Sequence, residues 1–190
     1  IGGQSGNFNY LLSASARPSY NNAFNRENSR LGDYSINDRV VEERTRDQLN
    51  NEFSINLGYD FSSNSSFRVN ALYAIQDAPT DLERFTRDLR TQPNTLTIER
   101  ENLPSDRANW EFGGDYEFTR ANGNRFKLLG IANQDNRDAG RERFLLDRNG
   151  GEEKNLFLDT TSVTEEQIVR GSYTMDIFDG QDIEFGVERA

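Results

Sequence analysis

Neither cysteine nor histidine occurs anywhere in this 190-residue chain, and each absence removes a block of chemistry. A thiol nucleophile, a histidine-based triad and a usual zinc site are all excluded. Lacking cysteine, the chain has no disulfide, which is compatible with a cell-envelope protein but does not require one. No apolar run reaches the roughly 18 residues that a membrane-crossing helix needs. Positive charge is also short: 22 Lys and Arg stand against 32 Asp and Glu, a net charge of −10. That balance argues against nucleic acid as a partner, because phosphates demand basic patches. Only 34% of residues are hydrophobic and the mean hydropathy is −0.87, values that by themselves point towards disorder. Against disorder stand an aromatic content of 11% and the regularity with which the apolar residues are spaced. No signal peptide begins at Ile1, so an exported protein would be represented here by an internal piece.

That regularity is clearest between Asn51 and Asp77. Phe53, Ile55, Leu57, Tyr59 and Phe61 alternate with Ser54, Asn56, Gly58 and Asp60, and then SSNSS interrupts. Phe67, Val69, Ala71, Tyr73 and Ile75 next alternate with Arg68, Asn70, Leu72, Ala74 and Gln76. Period-two alternation is the signature of a strand with one apolar and one polar face. Each arm has about ten residues in this pattern, the length a tilted strand needs to cross a bilayer. Asp60 and Arg68 on the polar face are unsuited to a dry core. Lipid outside and water inside a barrel accounts for both faces. An antiparallel pairing of Phe61 with Phe67 brings Tyr59 to Val69, Leu57 to Ala71, Ile55 to Tyr73 and Phe53 to Ile75.

Similar arms recur along the chain. Phe8 to Ala16 is expected to pair as Phe8/Phe61 and Tyr10/Tyr59, with a turn in RLGDYS near Tyr34. Trp110 to Phe118 is expected to pair as Phe67/Phe118 through Ile75/Trp110, which places Arg84 opposite Glu101 and Leu89 opposite Leu96, around a turn at Gln92-Pro93. Pro79 cannot serve a central ladder and is expected to break it locally. Asn122-Gly123 is the strongest short-hairpin signal in the chain. Gly150-Gly151 centres a further long hairpin, with Phe144/Phe157 and Phe126/Met175 paired. A short turn, FDGQD, leads to a last arm at Ile183, Phe185 and Val187. The fold class is therefore all-β: an antiparallel meander of about seven long strands, part of a transmembrane β-barrel. Short and long connections alternate, as do the tight periplasmic turns and long outer loops of outer-membrane barrels.

Faces follow from the same pattern. Phe53, Ile55, Leu57, Tyr59, Tyr73, Ile75, Trp110, Phe112, Tyr116, Tyr173 and Met175 are expected to meet lipid. Ser54, Asn56, Asp60, Asn70, Glu111, Asp115 and Glu117 are expected to face the lumen. Other candidate sites are weaker. IGGQSG lacks the Lys-Ser/Thr and helix of a phosphate loop. The carboxylate pairs Glu42-Glu43, Glu152-Glu153 and Glu165-Glu166 point to opposite faces of a strand and do not converge for acid/base work. Asp147, Asn149, Gly151 and Glu153 lack the twelfth-position acid of a calcium loop. The charged runs VVEERTRDQ, DLERFTRDLR and RDAGRER are solvated vestibule walls, or touch a charged ligand with Arg17, Arg84 or Arg143 as anchors. The residues themselves suggest no catalytic role, cofactor or metal.

The runs GNFNYLLSASARPSY, DRANWEFGGDYEFTRANGNRFKLLGIANQDNRD and EEQIVRGSYTMDIFDGQDIEFG resemble early barrel strands of proteobacterial TonB-dependent receptors. That resemblance covers nearly the whole chain. It implies a bacterial outer-membrane location and a 22-stranded parent barrel, of which residues 1–190 would be a part, without plug domain or C-terminal strands. It further implies energised uptake of a scarce solute, often an iron chelate. The implied partners are outer-membrane lipid, an unknown small-molecule ligand and the TonB complex, which acts through the plug region. A surface β-protein that does not transport, either an adhesin-like barrel or a soluble β-sheet binding module, is the alternative.

Overall fold

A computed structural model describes residues 1–178 and 181–190. The residues described form strands and turns without helix, and every strand pairing is antiparallel within one sheet. Ten strands are present: β1 (Gly2–Ser5), β2 (Phe8–Arg30), β3 (Ile36–Ser62), β4 (Ser65–Asp77), β5 (Thr80–Asp88), β6 (Thr95–Leu103), β7 (Ser105–Thr119), β8 (Arg125–Leu146), β9 (Glu152–Phe178) and β10 (Gln181–Arg189). The sheet runs β1-β2-β3-β4-β7-β8-β9-β10, and the β5–β6 hairpin fills the space between β3 and β8 beyond β4 and β7.

The alternation predicts seven long strands, and the structure has ten. One of the additional three is the short β1. The other two arise at prolines. β4 ends at Asp77 opposite Asp106, and β5 resumes at Thr80 opposite Leu103, so the ladder continues in unchanged register on both sides of the break. Pro79 and Pro104 therefore stand across from each other, and neither has an N–H to give. Their carbonyls remain in use: Pro79 accepts from Asp47 N at 3.3 Å and Pro104 from Gly140 N at 3.0 Å. The interruption is thus confined to the β4–β5 and β6–β7 junctions, while β3 and β8 run past it unbroken.

Registers differ from the expected ones by two residues throughout, except at the far end of the β8–β9 hairpin, where the difference is three. Tyr59 faces Phe67 rather than Val69, and Phe53 faces Tyr73 rather than Ile75. Phe8 faces Tyr59 rather than Phe61. Phe67 faces Tyr116 rather than Phe118, and Ile75 faces Ala108 rather than Trp110. Arg84 faces Glu99, and it is Leu82 that meets Glu101; Leu96 lies opposite Arg87 rather than Leu89. In the β8–β9 hairpin Phe126 meets Tyr173, not Met175, and a register shift between Arg143 and Phe144 sets Phe144 opposite Lys154 rather than Phe157. A displacement of two residues restores a side chain to its original face, so alternation alone cannot detect it; only the three-residue offset past Arg143 changes parity. The local cause of the two-residue displacement at the first hairpin is Phe61. A register shift lies between Asp60 and Ser62, and Ser62 pairs with Ser65 across a tight Ser63-Asn64 turn. Phe61 drops out of the ladder and packs edge-on against Tyr59, with ring centroids 5.0 Å apart.

The turns fall where composition places them. Leu31 N donates to Ser35 O across RLGDYS, and Asp33 accepts from Ser35 N and Oγ. In the β7–β8 turn Gly123 adopts φ +87° and Gly123 N donates to Arg120 O at 3.0 Å. This left-handed conformation is the reason Asn-Gly marks such a turn. Asp147 caps the β8–β9 turn by accepting from Asn149 N and Gly151 N, both at 2.8 Å. The Asp179-Gly180 part of FDGQD lies outside the described residues.

Candidate functional site

In an antiparallel ladder directly opposed residues share a face. Following opposed residues from strand to strand places all eleven expected lipid-facing residues on one side of the sheet. Tyr59, Phe67, Tyr116, Leu128 and Gly171 form one row, and Phe53, Tyr73, Trp110, Gln134 and Glu165 another. Ile55 and Phe112 lie in the row of Ala71, Leu57 in the row of Val69, and Ile75 opposite Ala108. Tyr173 faces Phe126 and Phe185, and Met175 faces Ile183.

Nothing in the described structure covers this face. Phe53 is 46% exposed, Tyr73 48% and Phe112 53%, although all three are interior to their strands. Ala78 and Leu82 are the two buried hydrophobic residues among those described. A soluble sheet of this size hides its apolar face beneath a second layer; here that face is bare. At the short-turn end the tyrosines turn their hydroxyls to polar partners: Tyr116 Oη lies 3.0 Å from Ser65 Oγ, and Tyr173 Oη 2.8 Å from Asn124 Nδ2.

The seven expected lumen-facing residues share the opposite face. Ser54 Oγ is 2.7 Å from Ser13 Oγ, and Asn56 faces Asn70. Asp60 lies 3.9 Å from Arg68, which is opposite Asp115. Glu111 faces Asn133, and Glu117 faces Lys127. This face is mixed rather than wholly polar, since Ile131 and Ile168 oppose each other on it.

Beyond the two prolines the same face carries a network of ions that alternation alone does not reveal. Glu42 accepts from Arg84 at 2.7 Å, and Glu99 lies 3.7 Å from Arg84 and 3.6 Å from Arg143. Glu101, 1% exposed, accepts two hydrogen bonds from Arg141, each 2.8 Å. These bonds, outweighing the effect of burial, hold the Glu101 carboxyl below the usual carboxylate range, with Arg84 and Arg143 adding to the effect. Arg84 and Arg143, proposed from sequence as ligand anchors, are thus engaged with carboxylates of their own sheet. Arg17 lies 3.8 Å from Glu52. The network ties the β5–β6 hairpin to β3 on one side and β8 on the other. The sequence signal for it was present in the repeated Glu/Arg alternation of residues 99–101 and 141–143, but only the correct register brings those residues together.

Of the carboxylate pairs, Glu42 and Glu43 take different partners, Arg84 and Asn22, as the opposed directions of neighbouring strand residues require. A scan against protein-family models finds no match for this chain, and a search of curated proteins finds none.

Proposed function

We propose that this chain is a segment of a transmembrane β-barrel, and that the barrel belongs to a TonB-dependent outer-membrane receptor that takes up a scarce solute. The observation that carries the membrane reading is the bare apolar face together with the slant of its edge. On β4 and β7 the first polar residues at the long-connection end of that face are Asp77 and Asp106, which oppose each other. On β8 the first is Gln134, opposite Trp110; on β9 it is Gln167, opposite Ala132; on β10 it is Arg189, opposite Val169. From β7 to β10 the edge moves towards the short turns as the chain advances, whereas on β3 it lies at Asn51, opposite Ile75, two residues nearer those turns than Asp77. The strand ends move the same way, since β9 continues to Phe178 although the first residue of β8, Arg125, pairs with Thr174.

A level lipid band crossing tilted strands must slip against the hydrogen-bonded rows. Strands spaced ~4.8 Å apart, tilted ~40° and rising ~3.3 Å per residue require a slip of about 1.2 residues per strand. The observed edge is level between β4 and β7 and then slips by four, two and two residues, about two per strand from β4 to β10, the same order as this value. The alternation and uncovered face support a barrel; the TonB-dependent assignment rests on the resemblance of the strand sequences.

Two measurements test these two levels. In plain buffer the chain is expected to aggregate through its bare face and open edges, and to require detergent or lipid to fold. A monodisperse monomer melting cooperatively in buffer would overturn the membrane reading. For the receptor, the coding sequence upstream of Ile1 is expected to specify a plug domain. An adhesin-type passenger there instead would leave the barrel and remove the transporter.

A further inference from the structure

We infer that the apolar face binds one glycerophospholipid in a trough running from its middle to the β7–β8 turn. This inference rests on that face being in contact with lipid. The trough floor is made by glycines: Gly114 of β7 lies directly opposite Gly130 of β8. A Cβ built at Gly130 would meet no atom within 4 Å, so the surface there is open. Phe67, Phe112 and Leu128 rise around this floor and bound a hollow of about 490 Å³. Tyr116 joins it to a second hollow of about 430 Å³, between Phe118, Phe126 and Tyr173. Arg120 and Asn124 line that second hollow where it reaches the turn.

Polarity along the trough matches a phospholipid from chain to headgroup. From Phe112 to Arg120 the chain advances about 27 Å at ~3.4 Å per residue, more than the ~15 Å depth of one leaflet's hydrocarbon even when tilted. The hydroxyls of Tyr116 and Tyr173 mark where the apolar level ends, because each finds a polar partner at a short turn, Ser65 beside the β3–β4 turn and Asn124 in the β7–β8 turn. Ring below and hydroxyl above is the posture of interfacial tyrosines. Arg120 stands just past that level. Its backbone is fixed by Arg120 N donating to Asn124 O at 2.8 Å, and no carboxylate among the described residues forms an ion pair with its guanidinium. A planar cation at this depth complements a phosphate diester, and guanidinium–phosphate pairs are strong, directional contacts. The occupant is therefore a two-chain phospholipid of the leaflet on the short-turn side, with its phosphate on Arg120 and one acyl chain over Gly114 and Gly130.

Native mass spectrometry of the intact folded barrel that contains this chain, incubated in mild detergent with palmitoyl-oleoyl phosphatidylglycerol, tests the assignment. Wild type is expected to retain a single lipid that saturates. Arg120→Ser should lower retention about tenfold, the scale of a lost charged contact of ~1.4 kcal/mol. Gly130→Leu should lower it comparably by filling the floor, and Leu is at home on a lipid face. Arg125→Ser, on the opposite face, should leave it unchanged. Folded state is checked for each variant by heat-modifiable gel mobility, and two chemically different variants guard against one failing to fold. Equal retention in all four proteins, unsaturable uptake, or pairing of two protein copies in place of lipid would overturn the inference. Should wild type insert into vesicles yet retain no lipid, the site fails and the reading of the face stands. Should it not insert, both fail.

Discussion

In the intact parent barrel, Leu57→Arg is expected to impair folding into lipid vesicles severely, whereas Asn56→Arg, one residue away, should fold nearly as well as wild type. Leu57 lies in the centre of the apolar band, in the row of Tyr10, Val69 and Gly114. An arginine at mid-bilayer on a barrel's lipid face costs about 2–4 kcal/mol. Even the lower figure shifts the folding equilibrium by a factor of about 30. Asn56 faces the other way, opposite Asn70 and Leu11, where a long cation can reach water. The two substitutions introduce the same side chain and the same charge at adjacent positions, so they differ chiefly in the face that receives it. Folded yield in vesicles, read by gel mobility without boiling, should separate them clearly. Equal tolerance would show that this face does not touch lipid.

A second large effect is expected where the sheet leaves the apolar band. Arg141→Ala strips the two hydrogen bonds from Glu101, which is buried, and leaves a carboxylate with its closest partner gone. Removing one member of a buried pair costs 3–5 kcal/mol. Arg141 is 41% exposed, and solvent screening reduces the expected loss to about 2 kcal/mol. Replacing both partners, Glu101→Leu with Arg141→Leu, should cost less than the single change, because no unpaired charge remains. Denaturant midpoints of the folded protein in micelles measure both.

The pH dependence has a definite sign. Glu101 has its folded-state carboxyl pKa depressed, chiefly by the Arg141 hydrogen bonds. The stabilisation is therefore complete above the unfolded carboxylate value of about 4.3 and disappears as pH falls through the lower folded value. Wild type should lose stability across that acid range, and the double variant should lose less. Identical acid limbs would remove Glu101 from the account of stability.

Much of the geometry was legible because β structure writes its faces into the sequence. Each of the eleven apolar residues and seven polar residues assigned by alternation lies with its own group, since a strand offers two faces and parity chooses between them. Register was not legible to the same depth. Hydrophobic pattern specifies pairing only to within two residues, and Phe61, apolar and in phase, gave no sign that a bulge would drop it from the ladder. The prolines carried the missing information. Pro79 by itself predicts only a local break, but setting it across from Pro104 fixes the β4–β7 register and, with it, the Arg84–Glu99 pairing. Burial of Glu101 could not be read from its neighbours in sequence, because it depends on long arginine side chains from a strand forty residues away.

Trp110 gives the most direct test of the central claim, that the aromatic face of this sheet meets lipid. It is the single tryptophan of the 190 residues, so its fluorescence reports one place on the molecule. It lies on that face at the long-connection edge, with Nε1 donating to Gln134 Oε1 at 3.2 Å. Folded into vesicles of phospholipid brominated on the acyl chain, the protein should show strong quenching of Trp110, greater for bromines near the headgroup than for bromines near the bilayer centre. Unquenched emission in brominated vesicles, with ready quenching by aqueous acrylamide, would place this face in water and contradict the membrane assignment.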